Sequence, residues 1–243
     1  MSRYPGRISV VMTTFNGEKY LREQVDSILS QLSENDELLI SDDGSLDGTM
    51  AILSEYGSRD RRIRILKGPR EGIIANYESV IRAASGDFIF LSDQDDVWAE
   101  DKVEKVMKAF SDTGAVLVMH DAVVKNEDLT ETIYPSFFTY RGCKSGYVAN
   151  ILKNRYIGCC MAFSSSLREA FLPIPRNIQM HDQWIGLAAD RERGRTYLLR
   201  EPLLQYRRHE EANSDFSHNS IPVMIKNRLV LMRELLRKCY RLH

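Results

Sequence analysis

Three carboxylates follow an apolar run in the first half of the chain. Residues 88–91, FIFL, are typical of a buried strand, and Asp93, Asp95 and Asp96 come directly after it. Like charges this close repel one another and cost free energy unless a positive charge joins them. Carboxylate oxygens suit Mg²⁺ or Mn²⁺, and Mg²⁺ keeps several positions for water and for a substrate phosphate. The sequence therefore predicts a Mn²⁺ or Mg²⁺ site that holds a diphosphate at the carboxyl end of a strand.

Strand and helix patterns alternate ahead of and beyond this cluster. The predicted strands are residues 8–12, 37–40, 63–66, 88–91 and 115–119, with apolar residues at helical spacing between them. Repeated units of this kind imply parallel strands with right-handed crossovers, and such sheets bind ligands beyond the carboxyl ends of their strands. Thr13, the pair Asp42 and Asp43, and the acidic cluster are therefore expected in one crevice.

Turn chemistry offers a simpler interpretation of the same residues. The acidic cluster could be a turn in which Asp96 caps the next helix, and the Asp-Gly step at 43–44 is common in turns. Because both clusters follow strands, a functional site is favoured over two unrelated turns.

Composition excludes several classes of protein. The 243 residues are 43% hydrophobic and 28% charged, with a formal net charge of −1, so no nucleic-acid partner is expected. No apolar run reaches the length of a membrane span or forms a signal core, which predicts a cytoplasmic protein. The four cysteines show no CxxC spacing, so free thiols are expected rather than a zinc site or disulfides.

Three segments together resemble a known family. Residues 10–16, 39–49 and 91–96 are similar to the nucleotide-binding signatures of family 2 glycosyltransferases with the GT-A fold, in the right order. The match runs over about residues 7–210. Gln94 and Trp98 resemble the branch labelled rhamnosyltransferases of bacterial cell-surface polysaccharide synthesis.

The resemblance implies an α/β fold of GT-A type. It has a Rossmann-like, mostly parallel sheet with helices on both faces, a less regular acceptor-binding half and a C-terminal helix. Residues 1–215 would form the glycosyltransferase domain. About 1–100 would bind the nucleotide sugar and 101–215 the acceptor, and 216–243 would be a basic amphipathic segment.

The resemblance also assigns donor-binding roles. Thr13 and Asp43 would contact the nucleobase, with Asp43 accepting a hydrogen bond from a pyrimidine imide N–H. Asp42 would either join them or serve only the turn. Arg70 would reach the base or the diphosphate, and Asp93 would lie near the ribose.

A second set of residues is implied for the metal and the phosphates. Asp95 would hold the cation that bridges the two phosphates, and Asp96 would assist it or cap the next helix. Residues 204–209, LQYRRH, resemble a late segment of the family, in which His209 would be a third metal ligand. Arg207 or its neighbour Arg208 would be a phosphate clamp.

The catalytic base is implied by residues 180–184, MHDQW. Asp182 would take the proton from an acceptor hydroxyl as that oxygen attacks the anomeric carbon, in one displacement with inversion. His181 would orient it. The alternative role for Asp182 is an N-cap on the helix that follows.

The expected donor is a nucleoside diphosphate sugar that is UDP- or dTDP-linked. The expected acceptor is a precursor of a cell-surface glycan, either free or attached to a lipid carrier. The only tryptophans are Trp98 and Trp184, so the Gln/Arg-x-x-Arg-Trp element of processive synthases is missing and single addition is favoured. The basic C-terminal helix would pack on the domain or lie peripherally on the inner face of the cell membrane.

Two rival functions remain open, and a third is disfavoured. A sugar-phosphate nucleotidyltransferase usually has a glycine-rich basic loop after its first strand, where this chain has residues 13–17, TTFNG. A non-catalytic nucleotide-sugar or glycan-binding module would bind donor without needing Asp182. An NAD-dependent enzyme is disfavoured because no G-x-G-x-x-G follows a strand.

Overall fold

The computed structural model describes residues 6–191, 196–209 and 220–241. In this part of the chain the strands are β1 (Ile8–Thr14), β2 (Glu37–Asp42), β3 (Ile63–Lys67), β4 (Phe88–Ser92), β5 (Val97–Trp98), β6 (Leu117–Lys125), β7 (Thr132–Tyr134), β8 (Met161–Ser164) and β9 (Thr196–Arg207). The α-helices are α1 (Leu21–Leu29), α2 (Thr49–Arg59), α3 (Ile73–Ala83), α4 (Lys102–Thr113), α5 (Phe137–Arg141), α6 (Tyr147–Leu152), α7 (Arg168–Phe171), α8 (His181–Arg191) and α9 (Ile221–Arg241). The predicted boundary after residue 215 lies outside the described residues.

All the described strands belong to one sheet, in the order β3-β2-β1-β4-β8-β6-β9-β5, with β7 paired to β6. The first four strands are parallel, as predicted. The rest of the sheet is mixed, because β8 runs antiparallel to both β4 and β6 while β9 runs parallel to β6. The amino end of β8 therefore lies at the edge where β1, β2 and β4 end.

The central strands are buried on both faces. Every residue of β1 and β2 is buried, which explains why their sequences are nearly continuous apolar runs rather than alternating patterns. The polar exceptions are paired: the hydroxyl of Ser9 donates to Glu37 at 2.6 Å. Helix α1 packs Leu21, Val25 and Ile28 on the core, at the spacing the sequence predicted.

Two local predictions need correction. Asp101 precedes α4, so Asp96 is not the cap of that helix. The strand predicted at residues 115–119 begins at Leu117 and is the sixth, because the short β5 precedes it.

Helix α9 packs on the domain through one face. Leu231 and Leu235 are buried, and the carboxylate of Glu234 accepts a hydrogen bond from the Asn177 amide at 3.0 Å. Among the described residues, no helix has both the length and the apolar character needed to cross a bilayer.

Candidate active site

Asp42 organises the turn after β2. Its carboxylate accepts the backbone N–H groups of Gly44 (3.0 Å) and Ser45 (2.9 Å), and it also accepts the Thr14 hydroxyl at 3.0 Å. The side chain is 5% exposed. These contacts use most of its acceptor capacity, and they fix the direction in which the next residue points.

Asp43 joins this turn to the segment before α3. Its two carboxylate oxygens accept the backbone N–H groups of Arg70 (2.7 Å) and Gly72 (3.0 Å). Arg70 has a φ of 61°, a left-handed conformation that is unfavourable for a side chain of this size. A carboxylate has about four lone-pair positions, so Asp43 can still accept a further donor such as a base N–H. Asp43, which is predicted to contact the base, thus also stabilises the unfavourable backbone conformation of Arg70.

Gly68 allows this close packing. A Cβ atom at this position would lie 2.7 Å from the carbonyl oxygen of Asp42 and 2.9 Å from a carboxylate oxygen of Asp43. Any larger residue would push the two segments apart.

Tyr77, on α3, connects the ends of β1 and β4. Its hydroxyl donates to Asp93 at 2.7 Å and lies 2.9 Å from the carbonyl oxygen of Ser92, and it also interacts with Thr13. The ring is fully buried. Thr13 and Asp93, predicted at one crevice from separate strands, therefore meet at this hydroxyl.

Asp93, Asp96 and Cys159 each place one possible metal-ligand atom within 4.8 Å of the others. Burial and the nearby charge of Asp95 raise the pKa of Asp93 to about 6, and burial raises the pKa of Asp96. One oxygen of Asp96 accepts the N–H of Arg207 at 3.0 Å, whereas its other oxygen, Oδ2, has no hydrogen-bond partner among the described residues. Clustered carboxylates with an unpartnered buried oxygen fit a divalent cation, because a cation would favour their charged forms.

A buried lysine lies beside this cluster. Lys102 is 1% exposed, its ammonium group donates to the carbonyl oxygen of Cys159 at 3.0 Å, and it lies 3.8 Å from the centre of the Trp98 ring. Burial lowers its pKa to about 8, against the attraction of the neighbouring acids. It supplies part of the positive charge that the acidic loop needs.

Asp95 points towards a different partner. Its carboxylate lies 2.8 Å from Nε2 of His209, so the two side chains predicted to hold a metal are adjacent. Both are largely buried. Carboxylate oxygens suit Mg²⁺ and Mn²⁺, and imidazole is a common metal ligand in proteins.

Arg207 is held on all sides by protein groups. Its guanidinium donates to the carbonyl oxygens of Asp95 (2.8 Å) and Glu127 (2.5 Å) and to the carboxylate of Glu23, and it covers the ring of Tyr20 at 4.6 Å. In this arrangement Arg207 ties the acidic loop to α1, and a phosphate would have to replace one of these partners.

Asp182 lies in the first turn of α8, where it is 5% exposed. Its Oδ1 accepts the side-chain N–H of Asn154 at 3.0 Å and the N–H of Gln183 at 2.5 Å. Burial raises its pKa to about 6, and the charge of Asp93 contributes in the same direction. The predicted base is therefore near Asp93. The alternative role was wrong, because α8 begins at His181 and Asp182 lies within its first turn rather than at its N-cap.

His181 is neutral and enclosed. Its ring stacks on that of Tyr77, with 4.0 Å between centroids, and neither nitrogen has a hydrogen-bond partner among the described residues. Burial lowers its pKa to about 3. A Cβ on Gly158 would lie 3.0 Å from Nε2, so a larger residue there would require the His181 ring to move by a few tenths of an ångström. The stacking suits an orienting role for His181.

Four further residues lie at this site although no motif pointed to them: Tyr77, Lys102, Asn154 and Cys159. Tyr77 and Lys102 were hidden in amphipathic helix patterns, and a tyrosine or lysine within such a pattern gives little signal of its own. Asn154 and Cys159 come from the irregular segment before β8 and reach the site only through the reversed direction of that strand.

The chain belongs to glycosyl transferase family 2, whose family model matches residues 9–172. It is 28% identical over 218 residues to TuaG of Bacillus subtilis, a glycosyltransferase named for teichuronic acid biosynthesis, covering 85% of this chain and 81% of TuaG. It is 26% identical over 210 residues to the B. subtilis glycosyltransferase EpsH, covering 83% of this chain and 61% of EpsH.

Solved structures show the same GT-A fold. Residues 1–349 of TarS from S. aureus, in complex with UDP-GlcNAc, give a TM-score of 0.69 at 16% identity, over 91% of this chain and 64% of that one. The mannosyltransferase PcManGT from Pyrobaculum calidifontis, in complex with GDP-Man and Mn²⁺, gives 0.60 at 19% identity, over 82% and 56%. At these identities the likeness concerns the fold.

Proposed function

We propose that the protein is a metal-dependent, inverting glycosyltransferase that adds one sugar from a UDP- or dTDP-sugar to a hydroxyl of a cell-surface polysaccharide precursor. The observation that carries the proposal is that Thr13 and Asp93 meet at the Tyr77 hydroxyl, while His181, the residue before Asp182, stacks on the Tyr77 ring. The name of TuaG and the UDP-GlcNAc complex of TarS support the acceptor class and the donor class respectively.

The donor would lie along the carboxyl ends of β1, β2 and β4. Thr13 and Asp43 would bind the base, with Asp42 holding the turn and Arg70 beside it, and Asp93 would lie near the ribose. Asp95, Asp96 and His209 would hold Mn²⁺ or Mg²⁺, which when bound would neutralise charge on the departing diphosphate.

The acceptor hydroxyl would approach Asp182. Its carboxylate would take the hydroxyl proton while the oxygen attacks the anomeric carbon from the face opposite the leaving group, which inverts the configuration. Asn154 would fix the carboxylate's direction, and His181 would hold the start of α8 against Tyr77.

Asp182→Asn tests the proposed base. The variant keeps the shape and the hydrogen bond to the neighbouring backbone but cannot accept a proton, so transfer should fall at least about a hundredfold, whereas donor affinity should stay unchanged. Radiolabelled sugar transfer and calorimetric titration with UDP-sugar measure the two quantities separately.

Asp190→Asn, a second substitution on α8, is the matched control and should keep its activity. If Asp182→Asn transfers sugar at the wild-type rate, Asp182 is not the base.

Release of pyrophosphate from a nucleoside triphosphate and a sugar phosphate would instead show a nucleotidyltransferase, and donor binding without transfer by the wild type would show a binding module.

A further inference from the structure

Helix α9 has an apolar stripe that the domain does not cover. Its members are Ile225 (53% exposed), Leu229 (62%), Met232 (48%) and Leu236 (58%). Their spacing of four, three and four residues puts them on one side of the helix. Leu231 and Leu235 lie on another side of the helix and are buried. Helix α9 therefore has two apolar faces, one packed on the domain and one exposed to solvent.

Helix α6 adds to the same exposed surface. Val148 is 69% exposed and Leu152 is 60% exposed, one helical turn apart. The guanidinium Nε of Arg228 on α9 donates to the carbonyl oxygen of Leu152 at 2.7 Å, so the two helices are joined at this point. We call these six apolar side chains the α6–α9 surface.

The charges around the α6–α9 surface are mostly positive. Helix α9 contains six lysines or arginines and a single acid, Glu234, which pairs with Arg233 and Arg237. At 3.6 residues per turn, Lys226, Arg233 and Arg237 lie about 100° around the helix from the stripe. Long basic side chains in that position can keep their charges in water while the stripe enters an apolar phase.

These charges favour one kind of partner. Two copies of the chain meeting through this face would bring their basic flanks together, and like charges would repel. An anionic lipid surface attracts the same flanks and accepts the apolar stripe at the boundary between headgroups and acyl chains.

The α6–α9 surface also adjoins the proposed acceptor side of the site. Leu152 is two residues before Asn154, whose side chain donates to Asp182. Two steps of the backbone span at most about 7.6 Å. A bilayer in contact with Leu152 would therefore lie close to the proposed base.

We propose that the α6–α9 surface docks on an anionic bilayer and, resting on the proposed function, brings Asp182 to an acceptor carried on a lipid. Deleting α9 would not test this, because Leu231 and Leu235 would leave the domain's own packing. Substitutions of exposed side chains test it without that defect.

The experiment is vesicle flotation of the full chain with phosphatidylcholine alone and with phosphatidylcholine mixed with phosphatidylglycerol. The wild type should float with the mixed vesicles, less so at high salt, and not with phosphatidylcholine alone. Met232→Glu and Leu229→Glu should each lower the vesicle partition coefficient about tenfold or more. Met50→Glu, a helical methionine that is 40% exposed on α2, is the matched control and should float like the wild type.

Three results would overturn the proposal. The first is a wild type that does not float with anionic vesicles, and the second is a Met50→Glu variant that loses flotation as strongly as Met232→Glu. The third is a dimer in sedimentation velocity that Met232→Glu dissociates, which would make a second copy the occupant. Titration of each variant with UDP-sugar and Mn²⁺ reports on the proposed function independently, and Met232→Glu should bind donor like the wild type.

Discussion

At the scale of single residues, the surroundings of Asp182 set the pH at which it can accept a proton. Burial disfavours its charged form, whereas the hydrogen bond from Asn154 favours that form. Together with the backbone N–H of Gln183, which also favours the charged form, and the charge of Asp93, which disfavours it, these effects leave its pKa at about 6. Under the proposed mechanism, transfer should decline as the pH falls through about 6, because the protonated acid is no longer a base.

Asn154→Ala should move that decline to higher pH. Removing a hydrogen bond to the charged carboxylate raises the pKa of Asp182, so kcat should fall more at pH values near the wild-type pKa than in alkaline solution. The pH dependence of kcat for sugar transfer measures the shift. Asn177→Ala, which removes an amide bonded to Glu234 on α9, is the matched control and should leave the profile unchanged. An unchanged profile for Asn154→Ala would contradict this account of Asp182.

At the scale of elements, Glu37 ties together the strands that carry the proposed donor site. Its carboxylate, 2% exposed, accepts the hydroxyls of Ser9 on β1 and Ser85 before β4, and it pairs with Arg64 on β3. Burial alone would raise its pKa, but these hydrogen bonds outweigh it and lower the pKa from 4.5 to about 2.

Glu37→Gln should therefore destabilise the protein at neutral pH. A carboxylate whose pKa is depressed on folding contributes stability that is present above its unfolded pKa and disappears as the pH falls through its folded pKa. The loss should be on the order of 3 kcal/mol at neutral pH, and it should shrink between pH 4.5 and about 2. Urea unfolding of both proteins across this range measures it. Glu34→Gln, at an exposed surface pair with Arg61, should change little. A constant difference at every pH would contradict the assignment.

The first four strands and the helices between them could be predicted from the sequence because their patterns are local. Apolar runs gave β1, β2 and β4, and helical spacing gave α1 and α3. The position of Cys159 could not be predicted, because it depends on β8 running antiparallel between β4 and β6, and that pairing is made between residues far apart in the chain.

The residues of the proposed donor site also divide into those predicted from local motifs and those placed only by tertiary packing. Thr13 and Asp93 were predicted at one crevice, but their shared partner Tyr77 was not, because its hydroxyl is placed by the packing of α3 rather than by a motif. The sequence also gave no sign that the guanidinium of Arg207 is already engaged by protein groups, since such contacts arise only in the assembled fold.

At the scale of the whole molecule, a bound donor should stabilise the entire domain, because the site draws together several elements of one sheet. A ligand at about a hundredfold its dissociation constant adds about 2.7 kcal/mol to the free energy of unfolding. For a domain of this size, that corresponds to a rise of about 5–10 °C in Tm. Thermal unfolding with a panel of nucleotide sugars, with and without Mn²⁺, should identify the preferred donor by the largest rise.

Asp95→Ala should lose the part of this rise that depends on Mn²⁺, because the carboxylate beside His209 is the proposed metal ligand. Asp112→Ala, which removes an exposed acid on α4, is the control and should keep the full rise. A full Mn²⁺-dependent rise in Asp95→Ala would exclude Asp95 as a ligand.

The reversed direction of β8 has a consequence for engineering. Since β6 runs towards the site edge and β8 starts there, the stretch from 126 to 160 connects the two strands at that edge, and within it only β7 pairs with the sheet, through β6. A graft of that stretch from another member of the family would exchange the surroundings of Asp182 while leaving β1, β2 and β4 intact. Under the proposed function, one continuous replacement would then be enough to change the acceptor while keeping the donor.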